Sequence, residues 1–156
     1  MGGPGSNRWN DHTKKICVED CLKLPIQPLI DRWKQGQTKG QVLWKGKREA
    51  QIAYYIDPSS LPSTLTLRYK LISKHSTQSI EEKIQLATTS SVNGGQRWWM
   101  LCPMLSENGE MCGKRIGKLY LPPKRSRFGC RKCWELSYKS SQCTGSLIFW
   151  GRKIYF

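Results

Sequence analysis

The middle of the chain alternates apolar and polar residues with a period of two. Ala50, Ile52, Tyr54 and Ile56 point one way in the run 48–57, which Asp57-Pro58 ends. Leu65, Leu67, Tyr69 and Leu71 alternate with Thr64, Thr66, Arg68 and Lys70, and Ile80, Ile84 and Leu86 oppose Glu81, Lys83 and Gln85. Successive side chains of a strand face opposite ways, so each run predicts an antiparallel strand with one buried and one wet face. Val42–Trp44 adds a short strand before them. Gln96–Leu101, launched by the turn residues Asn93-Gly94-Gly95, reads as the last strand and runs straight into Cys102.

Ahead of the strands the spacing is helical. Ile16, Cys17, Cys21 and Leu24 fall on one helix face behind Thr13 as N-cap, until Pro25 interrupts. A second helix is expected from Pro28 to Gln35, with Leu29, Ile30 and Trp33 apolar and Gly36 as its stop. The pair reads either as a helix-turn-helix or as two helices packed on a sheet. Cys17 and Cys21 share a helix face near His12, which admits a second metal site, though buried cysteines also serve as small core hydrophobes. Cys143 and His75 stand alone in spacing.

Chemistry enters with the remaining cysteines. Cys102, Cys112, Cys130 and Cys133 are spaced C-x9-C-x17-C-x2-C. Two pairs brought together across a hairpin supply four thiolates at tetrahedral positions, the donor set of a structural Zn2+ site. Disulfides or free buried thiols are the alternative. The chain shows no apolar h-region behind a charged start and no 18-residue apolar run, so a cytoplasmic, reducing setting without a membrane is expected, where paired cysteines serve as metal ligands more often than disulfides. Seven cysteines cannot all pair within one chain. The expected fold class is α+β: a short N-terminal helical pair, an antiparallel β-sheet and a C-terminal zinc ribbon built on the four cysteines. The boundaries fall at 1–36 for a Gly-rich arm and the helices, 37–101 for the sheet, 102–145 for the ribbon and 146–156 for an aromatic, basic tail. Within the ribbon, 114–121 reads as a strand broken by Pro122-Pro123, 124–127 as an exposed hairpin tip and 134–142 as a closing helix.

Charge sharpens the picture. The formal net charge is +15, and residues 102–156 carry 11 basic against 3 acidic side chains. Between Met111 and Trp134 lie Lys114, Arg115, Lys118, Lys124, Arg125, Arg127, Arg131 and Lys132, with no acidic residue among them. Such a one-signed field attracts polyanions, and binding built on it is salt-dependent. A charge run also serves as a plain solvated face. Tyr120, Phe128, Trp134 and Tyr138 interleave with these cations, as residues that stack on splayed bases do, or as the ribbon's own small core.

Several blocks point to a known group. Gly94-Gly95-Gln96-Arg97-Trp98-Trp99-Met100-Leu101-Cys102-Pro103, Cys112-Gly113-Lys114-Arg115, Lys118-Leu119-Tyr120-Leu121-Pro122-Pro123, Phe128-Gly129-Cys130-Arg131-Lys132-Cys133 and Leu136-Ser137-Tyr138 look like those of an uncharacterised family of small bacterial zinc-ribbon-like proteins encoded near mobile elements. The start, Gly2-Gly3-Pro4-Gly5-Ser6 with Arg8 and then Val18-Glu19-Asp20-Cys21-Leu22, is similar too. The resemblance implies a fold and a context more than an activity. Its members continue past Tyr138 with a longer polar, basic tail, whereas this chain turns to Ile148-Phe149-Trp150.

These features favour a non-catalytic zinc-ribbon protein that binds nucleic acid, DNA or RNA, through a basic hairpin, in a phage or other bacterial mobile element. Four thiolates close a zinc site, leaving no open position for a reactive water. There is no paired His and carboxylate motif, no Gly-rich phosphate loop and no nucleophile elbow, and Asp31, Asp57, Glu81 and Glu82 are scattered. The alternative is a protein–protein modulator that docks on a host or defence nucleoprotein complex, such as an inhibitor of a CRISPR effector, with the aromatic tail 147–156 as its anchor.

Overall fold

The computed structural model describes residues 15–45, 50–72 and 77–142. The Gly-rich arm, Thr13, His12, His75, Cys143 and the tail 147–156 lie outside them. Element order is a 3-10 turn (Val18–Asp20), β1 (Leu22–Pro25), α1 (Gln27–Lys34), β2 (Lys39–Trp44), β3 (Ala50–Asp57), β4 (Thr64–Ile72), β5 (Thr77–Ser90), β6 (Gln96–Leu101), β7 (Arg115–Ile116), β8 (Lys118–Leu121) and α2 (Lys139–Gln142).

Strands β2 to β7 form one antiparallel sheet in sequence order. Their alternation is the one the sequence predicts: Ile52, Tyr54, Ile56, Leu65, Leu67, Tyr69, Ile84 and Leu86 are buried, and their neighbours along each strand face outward. β5 is longer than its expected run because it serves two partners, with Thr77–Gln85 along β4 and Leu86–Ser90 along β6. α1 matches its expected helix, with Pro28 in the first turn and Gly36 at φ +87° stopping it.

The N-terminal helical pair is not formed, and with it goes the helix-turn-helix reading. Residues 22–25 are instead strand β1, paired antiparallel with β8 in the register Leu22↔Leu121 and Leu24↔Leu119. The local reason is parity: Leu22 and Leu24 are buried and Lys23 between them is exposed, a period of two that the i, i+4 spacing of Cys17, Cys21 and Leu24 obscures. Pro25 also disfavours helix for the residue before it. Cys17 and Cys21 are buried as core residues, and the Cys21 thiol donates to the Cys17 carbonyl at 3.4 Å.

The two-stranded β1–β8 layer packs on the sheet through one continuous core. Leu24, Ile30, Ile56, Leu67, Met100, Leu119 and Phe128 all belong to it, so it runs across the boundaries at 36/37 and 101/102. Full burial of each such side chain contributes about 1.5–3 kcal/mol. The Trp44 indole N–H donates to the Lys23 carbonyl at 2.9 Å, fastening the free edge of the sheet to β1. A second, smaller core of Val18, Cys21 and Leu136 gathers Tyr120 and Trp134 around it, so these two aromatics do line the C-terminal module's own interior.

The expected ribbon strand 114–121 is split. β7 ends the large sheet, Gly117 turns the chain, and β8 crosses to β1; the Gly117 carbonyl accepts from the amide of Ile26 at 3.0 Å. The expected closing helix 134–142 is shorter as well. Residues 131–135 form turns, with Glu135 at φ 49°, and helix appears only at Lys139–Gln142, while Leu136 is buried as expected.

Candidate functional site

The stretched first cysteine pair is closed by a hairpin. Leu105 bridges Met111, the Ser106 amide donates to Glu110 at 2.8 Å, and Gly109 takes φ +82° in the turn. The chain therefore returns to its start: the Cys112 amide donates to the Met104 carbonyl at 2.7 Å and the Gly113 amide to the Cys102 carbonyl at 3.1 Å. Nine intervening residues thus serve in place of the usual two. The second pair arrives from β8. Tyr120 and Gly129 exchange both backbone hydrogen bonds, at 2.9 and 3.0 Å, and this sets Cys130 beside Cys102. Gly129 is required there, since a Cβ would stand 2.6 Å from the Met104 side chain and 2.7 Å from the Trp134 indole nitrogen.

All four thiols meet. The sulfurs of Cys102, Cys112, Cys130 and Cys133 lie within 4.8 Å of one another, with Cys102 and Cys133 at 3.9 Å. A tetrahedral metal with sulfurs at about 2.3 Å sets them about 3.8 Å apart, so contractions of no more than about 1 Å complete the shell. Backbone amides already point at the sulfurs: Cys130 N–H to Cys102 Sγ at 3.3 Å and Cys133 N–H to Cys130 Sγ at 3.4 Å. The amides of Met104 and Lys114 do the same for Cys102 and Cys112. Such donors favour thiolates.

The thiols respond unequally. Burial pushes Cys102 up to about 11, and burial with its thiol neighbours pushes Cys133 higher still. At Cys112 burial also raises the value, but the Lys114 amide and hydrogen bonds from the other three thiols together outweigh it, so this thiol lies below the ordinary range. A divalent cation removes the conflict, because it stabilises all four thiolates at once. The four cysteines thus form a set able to hold one metal ion.

The eight cations predicted from sequence separate into groups. Lys124, Arg125 and Arg127 are exposed on the turn after β8, where the Arg125 amide donates to Pro122 at 3.3 Å and Lys124 takes φ 63°. They border a hollow with Trp134, over which the Arg125 guanidinium sits at 5.3 Å. Arg115, Lys118 and Arg131 instead line a different cleft, joined by Arg97, which lies outside the predicted cluster. Lys132 is exposed beside Arg131 in a third hollow, and Lys114 is exposed next to Cys112's hairpin.

Phe128 cannot meet a base. It is fully buried, stacked on Trp44 at 6.5 Å and edge-on to Tyr69 at 5.7 Å. Glu82, read from the sequence only as one scattered carboxylate, is buried and anchors the basic turn. Its Oε2 accepts from the Phe128 amide at 3.1 Å and lies 3.0 Å from the Tyr69 hydroxyl, which is itself 2.6 Å from the Ser126 carbonyl. The Tyr69 hydroxyl thus lies between two acceptors, its one hydrogen serving one of them at a time. Burial raises the Glu82 pKa above the ordinary carboxylate value. Parity held the signal, for Glu82 shares its face with Ile80, Ile84 and Leu86.

Comparison with protein-family models, with curated proteins and with solved structures finds no match to this chain. Among the described residues no helix is long and apolar enough to cross a membrane.

Proposed function

We propose that this is a non-catalytic zinc-ribbon protein that binds nucleic acid, with Zn2+ as a structural ion on Cys102, Cys112, Cys130 and Cys133. The carrying observation is that hollows bordering the metal module are lined by Arg115, Lys118 and Arg131 on one side and Lys124, Arg125 and Arg127 on another, with no carboxylate in either. Neutralising the metal centre does not account for so many cations. Zinc on four thiolates carries a formal charge of about −2, against eight cations between Met111 and Trp134. The excess suits a polyanion, and Arg with Lys on a rigid scaffold suits phosphate. Four thiolates fill the zinc shell, which supports a structural rather than a catalytic ion. The sequence blocks that resemble those of mobile-element proteins support a phage or bacterial mobile-element origin.

Replacing Lys124, Arg125 and Arg127 by Gln together is the test. Phosphate contacts position without specifying sequence, so affinity should fall about equally for unrelated sequences of DNA and RNA. The slope of log affinity against log salt should become shallower by roughly 0.7–0.9 for each phosphate no longer neutralised. Unchanged affinity and slope in the triple variant would exclude this surface from binding.

A docking role on a host or defence complex has one observation of its own. Leu105 and Met111, bridged across the metal hairpin, are 59% and 51% exposed, an apolar pair open to solvent. A protein of this kind binds no isolated oligonucleotide until its target complex is present.

A further inference from the structure

The cleft that takes Arg97 arises from the way the sheet ends. β7 pairs only with Met100 and Leu101, and Gly117 then carries the chain away to β1. Beside Gln96–Trp99 no described strand continues the sheet on that side, and a cleft of about 520 Å3 opens there. That volume falls within the roughly 300–1,000 Å3 of small-ligand sites.

Its walls combine two chemistries. Trp98, Trp99, Tyr120 and Tyr138 supply aromatic surface. Arg97, Arg115, Lys118 and Arg131 supply charge, and no Asp or Glu lines it. A hollow of equal volume on the sheet face differs: Asp57 and Glu81 line it, and Arg68 there is paired with Glu81 at 2.7 Å. The aromatics of the cleft are held in place. The Arg97 guanidinium lies 4.2 Å from the Trp99 ring centre, Arg131 lies 5.1 Å from that of Tyr138, and Trp33 packs edge-on to Trp98 at 4.9 Å. Trp99 also donates to the Thr89 hydroxyl at 2.9 Å.

We propose that this cleft takes an unstacked base of a single-stranded nucleic acid, with its cations on the flanking phosphates. The inference rests on the nucleic-acid reading above and adds the strand state and the seat of the base. Aromatic faces among cations bind single strands without strong sequence preference, because every base has a π-face. In a duplex those faces are stacked and out of reach. Tyr138, 41% exposed, is the platform a base reaches most readily.

Fluorescence anisotropy with two probes separates the parts. One is an oligothymidylate; the other is an abasic oligonucleotide of the same length, carrying the same phosphates without bases. The metal-loaded protein should bind the oligothymidylate about 10-fold or more tighter than the abasic strand. Tyr138→Ala should erase most of that preference, and Tyr138→Phe should restore it. Equal affinity of the unaltered protein for both probes overturns the cleft assignment and leaves phosphate binding standing. Failure to bind either probe while a duplex of the same length still binds overturns this inference and leaves the nucleic-acid reading standing, whereas failure to bind all three removes both. Displacement of oligothymidylate by polyglutamate as readily as by unlabelled oligothymidylate would give the cleft to an acidic protein segment instead.

Discussion

Cys130→Ser is expected to release the metal and dissolve the C-terminal module. Cys130 is buried, its sulfur accepts the Cys133 amide, and its own amide holds Cys102 Sγ at 3.3 Å. Structural zinc contributes about 10–16 kcal/mol of apparent free energy in comparable peptides, as much as the whole stability of a typical domain, about 5–15 kcal/mol. The module is small, and among the described residues the minor core beneath it has as buried members only Leu136 and, from the N-terminal turn, Val18 and Cys21. The damage should not stop at residue 102, because Leu119, Leu121 and Phe128 belong to the main core. Elemental analysis should find the variant without metal, and limited proteolysis should cut it within 102–138 under conditions where the unaltered protein resists. Chelation of the unaltered protein should reproduce both effects. A metal-free variant that melts at the unaltered temperature would show that the cysteines are core residues only.

Glu82→Ala should have the next largest effect, for it strands the Phe128 amide and removes a partner from the Tyr69 hydroxyl. Each buried polar group left unpaired costs about 1–3 kcal/mol. Glu82→Gln offers an acceptor to the amide and a donor to the tyrosine oxygen, so its loss should be small. The pH dependence distinguishes the variants further. Burial raises the folded-state pKa of Glu82 above its ordinary value, so the folded chain holds this proton more tightly than the unfolded chain does. The stability this confers is full below the ordinary carboxylate pKa, near 4.3, and is lost as pH rises through the folded value. Denaturation followed from about pH 4 to about pH 8 should show that decline in the unaltered protein and its absence in Glu82→Gln. The same decline in both would clear Glu82 of any part in it.

The strands that carry both faces were legible because a period of two needs only neighbouring residues. β3, β4 and β5 follow it, and α1 was legible from its proline start and glycine stop. β1 was not legible, because its partner β8 lies almost a hundred residues along the chain and four residues of Leu-Lys-Leu-Pro fit either period. The same distance hid the break at Gly117, which exists only because β8 leaves the sheet for β1. At the metal centre the spacing showed which thiols could gather, and the turn pair Asn108-Gly109 between Leu105 and Met111 was the overlooked signal for how the nine-residue gap closes. The cations were read in sequence order, whereas the fold sorts them by surface, bringing Arg97 to Arg115 and Arg131 and leaving Lys124 with Trp134. Phe128 looked available beside Arg127 because adjacency says nothing about direction, and the anchor at Glu82 turns its ring inward.

The most direct test of a metal-stapled nucleic-acid binder is one titration. Purified protein, its zinc content measured in the same sample, is titrated with short single- and double-stranded DNA and RNA at two salt concentrations. One zinc per chain is expected, with an affinity that falls steeply as salt rises. One zinc per chain with no binding to any of the four probes, even at the lower salt, would contradict a nucleic-acid role.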